Sequence, residues 1–588
     1  MYTNINWQQF MGSQDMIWNS APFQWEDGAF LGNGILGILV YMDSNHHSLI
    51  LELGRSDVYD NRDFEAQGMD MMYEMPRLPI GKFHLSFLGE LNGFWMRLDL
   101  YHAVLRGMIT SDKGTISFSA YVHGTKEVMI VQIEDNGNEH SQWEYRPAIS
   151  QSPRQSYAIH HQDEKRRRPN YHANLKIEEQ ELSGIHHAIQ RLSKGAGYVT
   201  SWKEDLQAPL RTLVIGIQIG DDVEITVQHA HAWIKKIIEE ESQSILFQTH
   251  CQWWESYYQQ SFISLPDKKM ERFYWAQMYK LASATRSEYE VLDNQGPWLV
   301  ETAWPGTWWN LNVQLAYSPL YTANRLSISE SLSNQLKKHQ HELIQNVPEA
   351  YQHDSAAIHT ITGRSFRSQV PIMGSKNGTN DFIEFGNLTW ALHNCYRYYR
   401  VTMNTEFLRD FLYPLLKKSV SYYLHFLILE EDGHYHLPLS SSPEYRKHCD
   451  DCNYDLSLLK WGLTVLIESA DRLHLSEDLL NRWKEVQERL TDYPKDEDGF
   501  YIGRNVKYSY SHRHYSHLLM IYPLHLINPD NGNREIIERS LAWWQSMPEE
   551  LLGYSYTGAA SICATLGDGN RSIAYLEHLW SSFLKPNT

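Results

Sequence analysis

The sequence predicts two large parts, an N-terminal antiparallel β-sandwich followed by an α/α toroid. Three observations carry this. At 588 residues the chain is too long for one small core and fits two large domains. Hydrophobic residues make up 42% and charged residues 21%, the balance of a folded protein rather than a disordered one. The hydrophobic period then changes from strand-like to helical after about residue 230.

In the first part, residues 116–122 alternate at period two, so one face is apolar and the other partly polar. Residues 128–133 and 213–219 are more continuously apolar, as strands buried on both sides are, and residues 223–227 read as a further strand after a Gly-Asp-Asp turn. Residues 25–37, with Gly32, Gly34 and Gly37, read as a glycine-bearing turn between strands. The one basic run, Lys165 to Arg168, is followed by Pro169 and reads as a solvated loop.

In the second part, Leu408, Phe411, Leu412, Leu415 and Leu416 recur at three and four, as do Leu456, Leu459, Leu463, Leu466, Ile467 and Ala470. Both patterns predict amphipathic helices with one buried stripe. Loops rich in Gly, Pro, Ser and Asn lie between them, at 374–380 and 434–443. Serial helices joined by such loops suit a toroid whose loops frame a central pocket. No repeat of fixed period is visible. His250 to Trp254 begins a linker helix, giving expected domains at 1–240 and 291–588 with linker helices over 241–290.

Composition narrows the partners. A net charge of −19 argues against nucleic acid or an anionic membrane, because phosphate binding needs clustered Lys and Arg. Aromatic residues reach 13%, with 20 Trp and 36 Tyr at a mean hydropathy of −0.49; such rings stack on the C–H faces of sugars or fill large cores. Five cysteines indicate no disulfide framework, and Cys449 and Cys452 have no second CxxC to complete a zinc site. No metal and no other cofactor is expected. The start has neither a basic n-region nor an apolar core and no stretch approaches eighteen apolar residues, so a cytoplasmic location is expected.

Three separated segments carry the chemistry: residues 308–314, Ser442-Pro443-Glu444 and residues 512–517. Together they supply amides that hold a water, a carboxyl that acts as an acid, and Arg/His donors for sugar hydroxyls, which is what glycosidic cleavage needs. Glu444 is the candidate acid, although a Pro-Glu pair also starts helices. Asn310 and Asn312 orient a water through their amide oxygens, with a helix N-cap as the alternative for Asn310. Arg513 and His514 offer donors to hydroxyls or the glycosidic oxygen, and His517 belongs to the same binding set, a structural network being the alternative. His512, His514 and His517 are spaced for a metal but have no acidic or Cys ligand within the segment. Trp308 and Trp390 stack on a sugar ring or belong to the core. Asp455 bonds within the acid's loop or caps a helix.

Residues 25–37 resemble the W…PLGNGRLG opening of glycoside hydrolase family 95, with Phe30 in place of the family's Pro and Ile35 in place of its Arg. Residues 310–317 are similar to its NINxQMNYW segment, 386–393 to its W…H helix, and 441–444 to the S-SPE loop. Residues 512–518 match HRHxSHL and 566–569 match LGDG, all in the family's order. The resemblance implies an (α/α)6 barrel, an inverting α-L-fucosidase or α-L-galactosidase activity, Glu444 as general acid and Asn310 and Asn312 as holders of the attacking water. Trp308 falls where the family usually has a His, which alters the expected sugar pocket. The carboxylate that polarises the water belongs to an HPPFQIDGNFG segment after LGDG, which does not occur before Thr588, so it is expected outside this sequence. The expected function is therefore an inverting exo-glycoside hydrolase acting on oligosaccharides. A polysaccharide lyase or glycoside phosphorylase on the same toroid, and a non-catalytic glycan-binding protein, are the alternatives.

Overall fold

The structure, a computed structural model, describes residues 5–63, 66, 68–207, 210–375 and 383–587. The chain separates into two compact units, Met1–Gly306 with Thr322–Asn334 and Lys585–Thr588, and Thr307–Tyr321 with Gln335–Leu584. The fold class is the one expected, an antiparallel β-sandwich followed by an α/α barrel.

The first unit contains a nine-stranded sheet in the order Met16–Trp18, Leu91–Asp99, Val104–Ser111, Gly114–Val122, Met129–Gly137, Leu210–Gly220, Gly197–Gln207, Ile185–Arg191 and Glu178–Leu182. A five-stranded sheet runs Ser141–Pro147, Gly81–Phe87, Ser48–Arg55, Leu36–Met42 and Ala29–Gly32. Every pairing in both is antiparallel, and the apolar strands sit centrally, with Phe118 opposite Ile133 and Leu213 opposite Val131. The sheets meet through large side chains, Phe83 lying 5.4 Å and Tyr145 4.9 Å from the ring of Trp202. The glycine-bearing turn joins Ala29–Gly32 to Leu36–Met42; Gly34 takes φ +93°, and Asn33 Oδ1 closes the turn by accepting from the Leu36 N–H at 2.9 Å. Lys165 to Arg168 form a loop, with Arg168 paired to Asp70 and to Glu74 at 3.3 Å.

One element differs from expectation. Residues 223–227 open the helix Val223–Glu240 instead of forming a strand. Asp222 caps it, its carboxylate accepting from the N–H groups of Glu224 and Ile225. The buried stripe Val223, Thr226, Ala230, Ile234 and Ile237 has helical spacing, and Ile234 and Ile237 pack on Tyr121, Ile130 and Val214 of the large sheet. The short alternation in this segment is shared by both periods, and the cap decides. The helices Gln243–Tyr258 and Lys268–Ala284 follow.

The second unit is helical. Leu408, Phe411, Leu412, Leu415 and Leu416 are all buried, in a continuous helical stretch from Thr405 to Leu424 that contains one π-turn. In Asn453–Arg472 the stripe from Leu456 to Ala470 is buried apart from the half-buried Ile467. Of the loop expected at 374–380, residues 376–380 lie outside the described residues. The 434–443 loop carries two-residue strands at Tyr435–His436 and Ser440–Ser441, the latter paired with His448–Cys449. The LGDG segment is a helix junction in which Asp568 caps Gly569–Ser582. Among the described residues, no helix is long and apolar enough to cross a membrane.

Candidate active site

Three helix N-termini of the second unit bring polar side chains to one place. Asn310 stands two residues before the helix Asn312–Thr322, Glu384 three before Asn387–Thr402, and Asp455 in the first turn of Asn453–Arg472. Helix N-termini carry unspent N–H donors and partial positive charge, so buried carboxylates cost least there.

Glu384 is fully buried. Its Oε1 accepts from Asn310 Nδ2 at 3.2 Å and from the backbone N–H of Glu444 at 3.1 Å. Its Oε2 accepts from the Thr360 hydroxyl at 2.6 Å and from Asn387 Nδ2 at 3.4 Å. Burial raises its carboxyl above the ordinary value, and these donors work against that rise. Behind it, the Tyr454 hydroxyl donates to Asn387 Oδ1 at 2.7 Å. Gly386 permits that approach, since a Cβ there would stand 2.2 Å from the Leu458 side chain and 2.8 Å from the Tyr454 ring.

Glu444 occupies the left-handed backbone region, with φ +56°. Its carboxylate pairs with Arg513, lies 3.6 Å from His514 Nε2 and is within hydrogen-bonding reach of the Asn310 amide. Burial raises the Glu444 carboxyl, Arg513 opposes the rise and the Glu384 carboxylate adds to it; burial wins. The side chains of Glu444 and Arg513 are 18% and 32% exposed, so this pair is where the cluster meets solvent. The preceding turn is pinned by His512, whose Nε2 donates to the Pro443 carbonyl at 3.0 Å and whose ring burial holds neutral, its pKa lowered to about 4. Burial likewise keeps His514 uncharged.

Thus Asn310, Glu444, Arg513 and His514 come together. Asn312 is half-buried, and its side chain makes no hydrogen bond among the described residues. The N-cap alternative for Asn310 falls, because the helix begins at Asn312 and the Asn310 amide is committed to Glu384. Asp455 is tied to the acid's loop, accepting from Ser440 Oγ at 2.7 Å and from the Tyr423 hydroxyl at 2.8 Å; burial pushes its carboxyl up to about 7.

Other expectations are corrected. Trp390 is 1% exposed and packs edge-on against Tyr454, so it belongs to the core and not to a sugar platform. His517 is buried and stacked on Tyr508 at 5.3 Å, a packing role. Trp308 is also buried, in the two-residue strand Thr307–Trp308 paired with Ile361–Thr362. An acid and a water holder on opposite faces of a sugar stand roughly 6.5 to 9.5 Å apart; here one oxygen of Glu384 bridges the two segments, accepting from the Asn310 amide at 3.2 Å and from the Glu444 N–H at 3.1 Å. Two groups among the described residues could surround a metal ion, His160, His161 and Glu301 in one unit and His353, Asp354 and His425 in the other; neither includes His512, His514 or His517.

Glu384 was not found from the sequence. The available signal was a lone carboxylate between Ile383 and Phe385 just before a helix, a position where a buried charge needs partners.

Residues 247–588, more than half of the chain, match the Glycosyl hydrolase family 95 catalytic domain. Alpha-L-fucosidase 2 of Arabidopsis thaliana is 24% identical over 204 residues, which cover 32% of this chain and 24% of that protein, so only about a quarter of that relative's length is spanned. Among solved structures, one from the human microbiome assigned as a kojibiose phosphorylase superposes with a TM-score of 0.64 at 10% identity, covering 98% of this chain and 87% of its own. A bacterial glucoamylase complexed with acarbose gives 0.43 at 10% identity, covering 81% and 69%. The phosphorylase likeness concerns fold alone. The family match extends over all of the segments that meet around Glu444, and on it the chain belongs to glycosyl hydrolase family 95.

Proposed function

We propose that the chain is an exo-acting, inverting hydrolase that releases a terminal sugar of the α-L-fucoside or α-L-galactoside type, with Glu444 as its general acid. The observation that carries this is the environment of Glu444, a partly exposed carboxyl with its proton affinity raised by burial, on which Arg513, His514 and Asn310 converge. In the reaction the Glu444 proton passes to the leaving oxygen, and Arg513 and His514 face the hydroxyls beside it.

Retention needs a second carboxylate that reaches the anomeric carbon. Glu384 and Asp455 are fully buried with both oxygens of each already bonded, so neither suits attack on a sugar. This supports direct attack by water. Asn312, whose amide is uncommitted among the described residues, and Asn310 Oδ1, which is buried there without a partner, are the acceptors that aim it; an amide takes no proton, so the proton the water loses as its oxygen bonds the anomeric carbon passes to solvent, from which Glu444 is recharged. The sugar class follows the name of the Arabidopsis relative and the family resemblance.

The test is proton NMR of the products from a panel of aryl α-L-fucosides and α-L-galactosides in phosphate-free D2O. The β-anomer appearing first is expected. An α-anomer first contradicts inversion, release only on adding phosphate identifies a phosphorylase, and no release from any glycoside overturns the reading.

A further inference from the structure

We propose that Glu384 is the positioning residue of this centre, fixing the backbone of Glu444 and turning the Asn310 amide so that its Oδ1 is left to accept from a water. The inference rests on Glu444 and Asn310 being the reacting pair.

Oxygen Oε1 of Glu384 joins two segments that are distant in sequence, accepting from Asn310 Nδ2 at 3.2 Å and from the Glu444 N–H at 3.1 Å. The second bond holds a strained residue. A non-glycine side chain at φ +56° crowds its own backbone, and such conformations persist where surrounding bonds fix them. The first bond sets the flip of the Asn310 amide, since the opposite flip would turn Oδ1 against the Glu384 carboxylate. With the flip fixed, Oδ1 is buried and has no partner among the described residues, an acceptor waiting for a donor. Donation to a carboxylate also polarises the amide and makes that oxygen a stronger acceptor.

The charge state follows from the partners. Of the four groups that bond Glu384, only the Thr360 hydroxyl could accept a proton from it; two amide nitrogens and a backbone N–H cannot. The donor set therefore favours the carboxylate. Facing it are Glu444 on its loop and Tyr454 and Asp455 on the helix Asn453–Arg472. Facing Glu444 are also Arg513, the uncharged His514 and Tyr554. Tyr454 and Tyr554 stay neutral and Asp455 holds its proton below about pH 7, so Glu384 is the fixed negative charge opposing ionisation of Glu444 and Arg513 the charge favouring it.

The direct test needs no substrate. Protein labelled with 13C at the glutamate side-chain carboxyl is titrated by NMR, the Glu444 signal being identified by its absence in Glu444→Gln. In Glu384→Gln the Glu444 midpoint is expected to fall by roughly one unit; in Glu384→Asp and Thr360→Val, which keep the charge but loosen its bonds, it is expected to hold. An unmoved midpoint in a folded Glu384→Gln overturns the proposal, because a purely structural role would leave it there. In parallel, on any aryl glycoside the wild type hydrolyses, kcat is expected to fall about 100-fold in Glu384→Gln and Glu384→Asp with KM changed far less. The alkaline limb of the pH profile should move to lower pH in Glu384→Gln alone. Should Glu384→Gln fail to fold, unchanged kcat in both Glu384→Asp and Thr360→Val overturns the proposal. If the midpoint falls while the wild type hydrolyses no glycoside, the hydrolase reading is lost and the positioning of Glu444 stands.

Discussion

In the sheet unit Arg77 is fully enclosed, bonded to Asp293 at 2.9 Å, to the Gly296 carbonyl and to the Arg55 carbonyl at 3.0 Å. Arg55 in turn is bonded to Asp57 at 2.6 Å and reaches Glu127 and the Ile217 carbonyl. In the helical unit Glu384, Asp455 and Glu444 lie near one another, and of the three Glu444 is paired with a cation, Arg513, while Glu384 and Asp455 are bonded to amides, hydroxyls and a backbone N–H. Where every acid is bonded to a guanidinium, as Asp293, Asp57 and Glu127 are, each proton has a settled place and the network fixes one arrangement of strands. Where buried acids share a site and have no cation of their own, at least one carboxyl keeps its proton near neutral pH, which is what a general acid requires. Buried charge thus serves structure in one unit and, in the proposed mechanism, chemistry in the other.

The contrast breaks most visibly at Glu444. Glu444→Gln is expected to cut turnover of poor leaving groups by about 10²- to 10⁴-fold while the urea unfolding midpoint stays where it was. Arg77→Met should do the reverse, losing about 3–5 kcal/mol of stability in urea unfolding because Asp293 is left buried and unpaired, with turnover per folded molecule retained. Gly386→Ala falls between, since its Cβ would overlap Leu458 and press on Tyr454. It should cost about 1–3 kcal/mol by unfolding and lower kcat through the Asn387–Glu384 bond.

The smallest effect is a slope. The Asp455 carboxyl is raised to about 7 when folded and returns to its ordinary value, 3.8, when unfolded. The folded state therefore holds the extra proton between these values, so this residue's contribution is fully present below about pH 4 and is lost as pH rises through about 7. Asp455→Asn should flatten that part of the stability profile, measured by thermal unfolding from pH 4 to 8. An unchanged slope would place the excess charge elsewhere.

Much of this was legible in the sequence, for identifiable reasons. The long strands announced themselves because a half-buried strand must alternate, and the helices Thr405 to Leu424 and Asn453–Arg472 because their apolar stripes persist over several turns. Residues 223–227 misled because five residues fit either period; Asp222, a strong N-cap, was the deciding signal. Glu444, Arg513 and Asn310 could be found because each sits in a segment with its own pattern. Glu384 could not, since three of its partners, Thr360, Asn310 and Glu444, come from places that only the fold joins to it. Trp390 and His517 were misjudged because a sugar platform and a core ring have the same composition, and only burial separates them.

The central claim, that Glu444 donates the proton to the leaving oxygen, is tested most directly by leaving-group dependence. Wild type and Glu444→Gln would be compared on two glycosides of the same sugar, one releasing dinitrophenolate and one releasing methanol. Dinitrophenolate departs without protonation and methanol does not, so the account predicts a small loss on the first and a large loss on the second. Equal losses on both would contradict it.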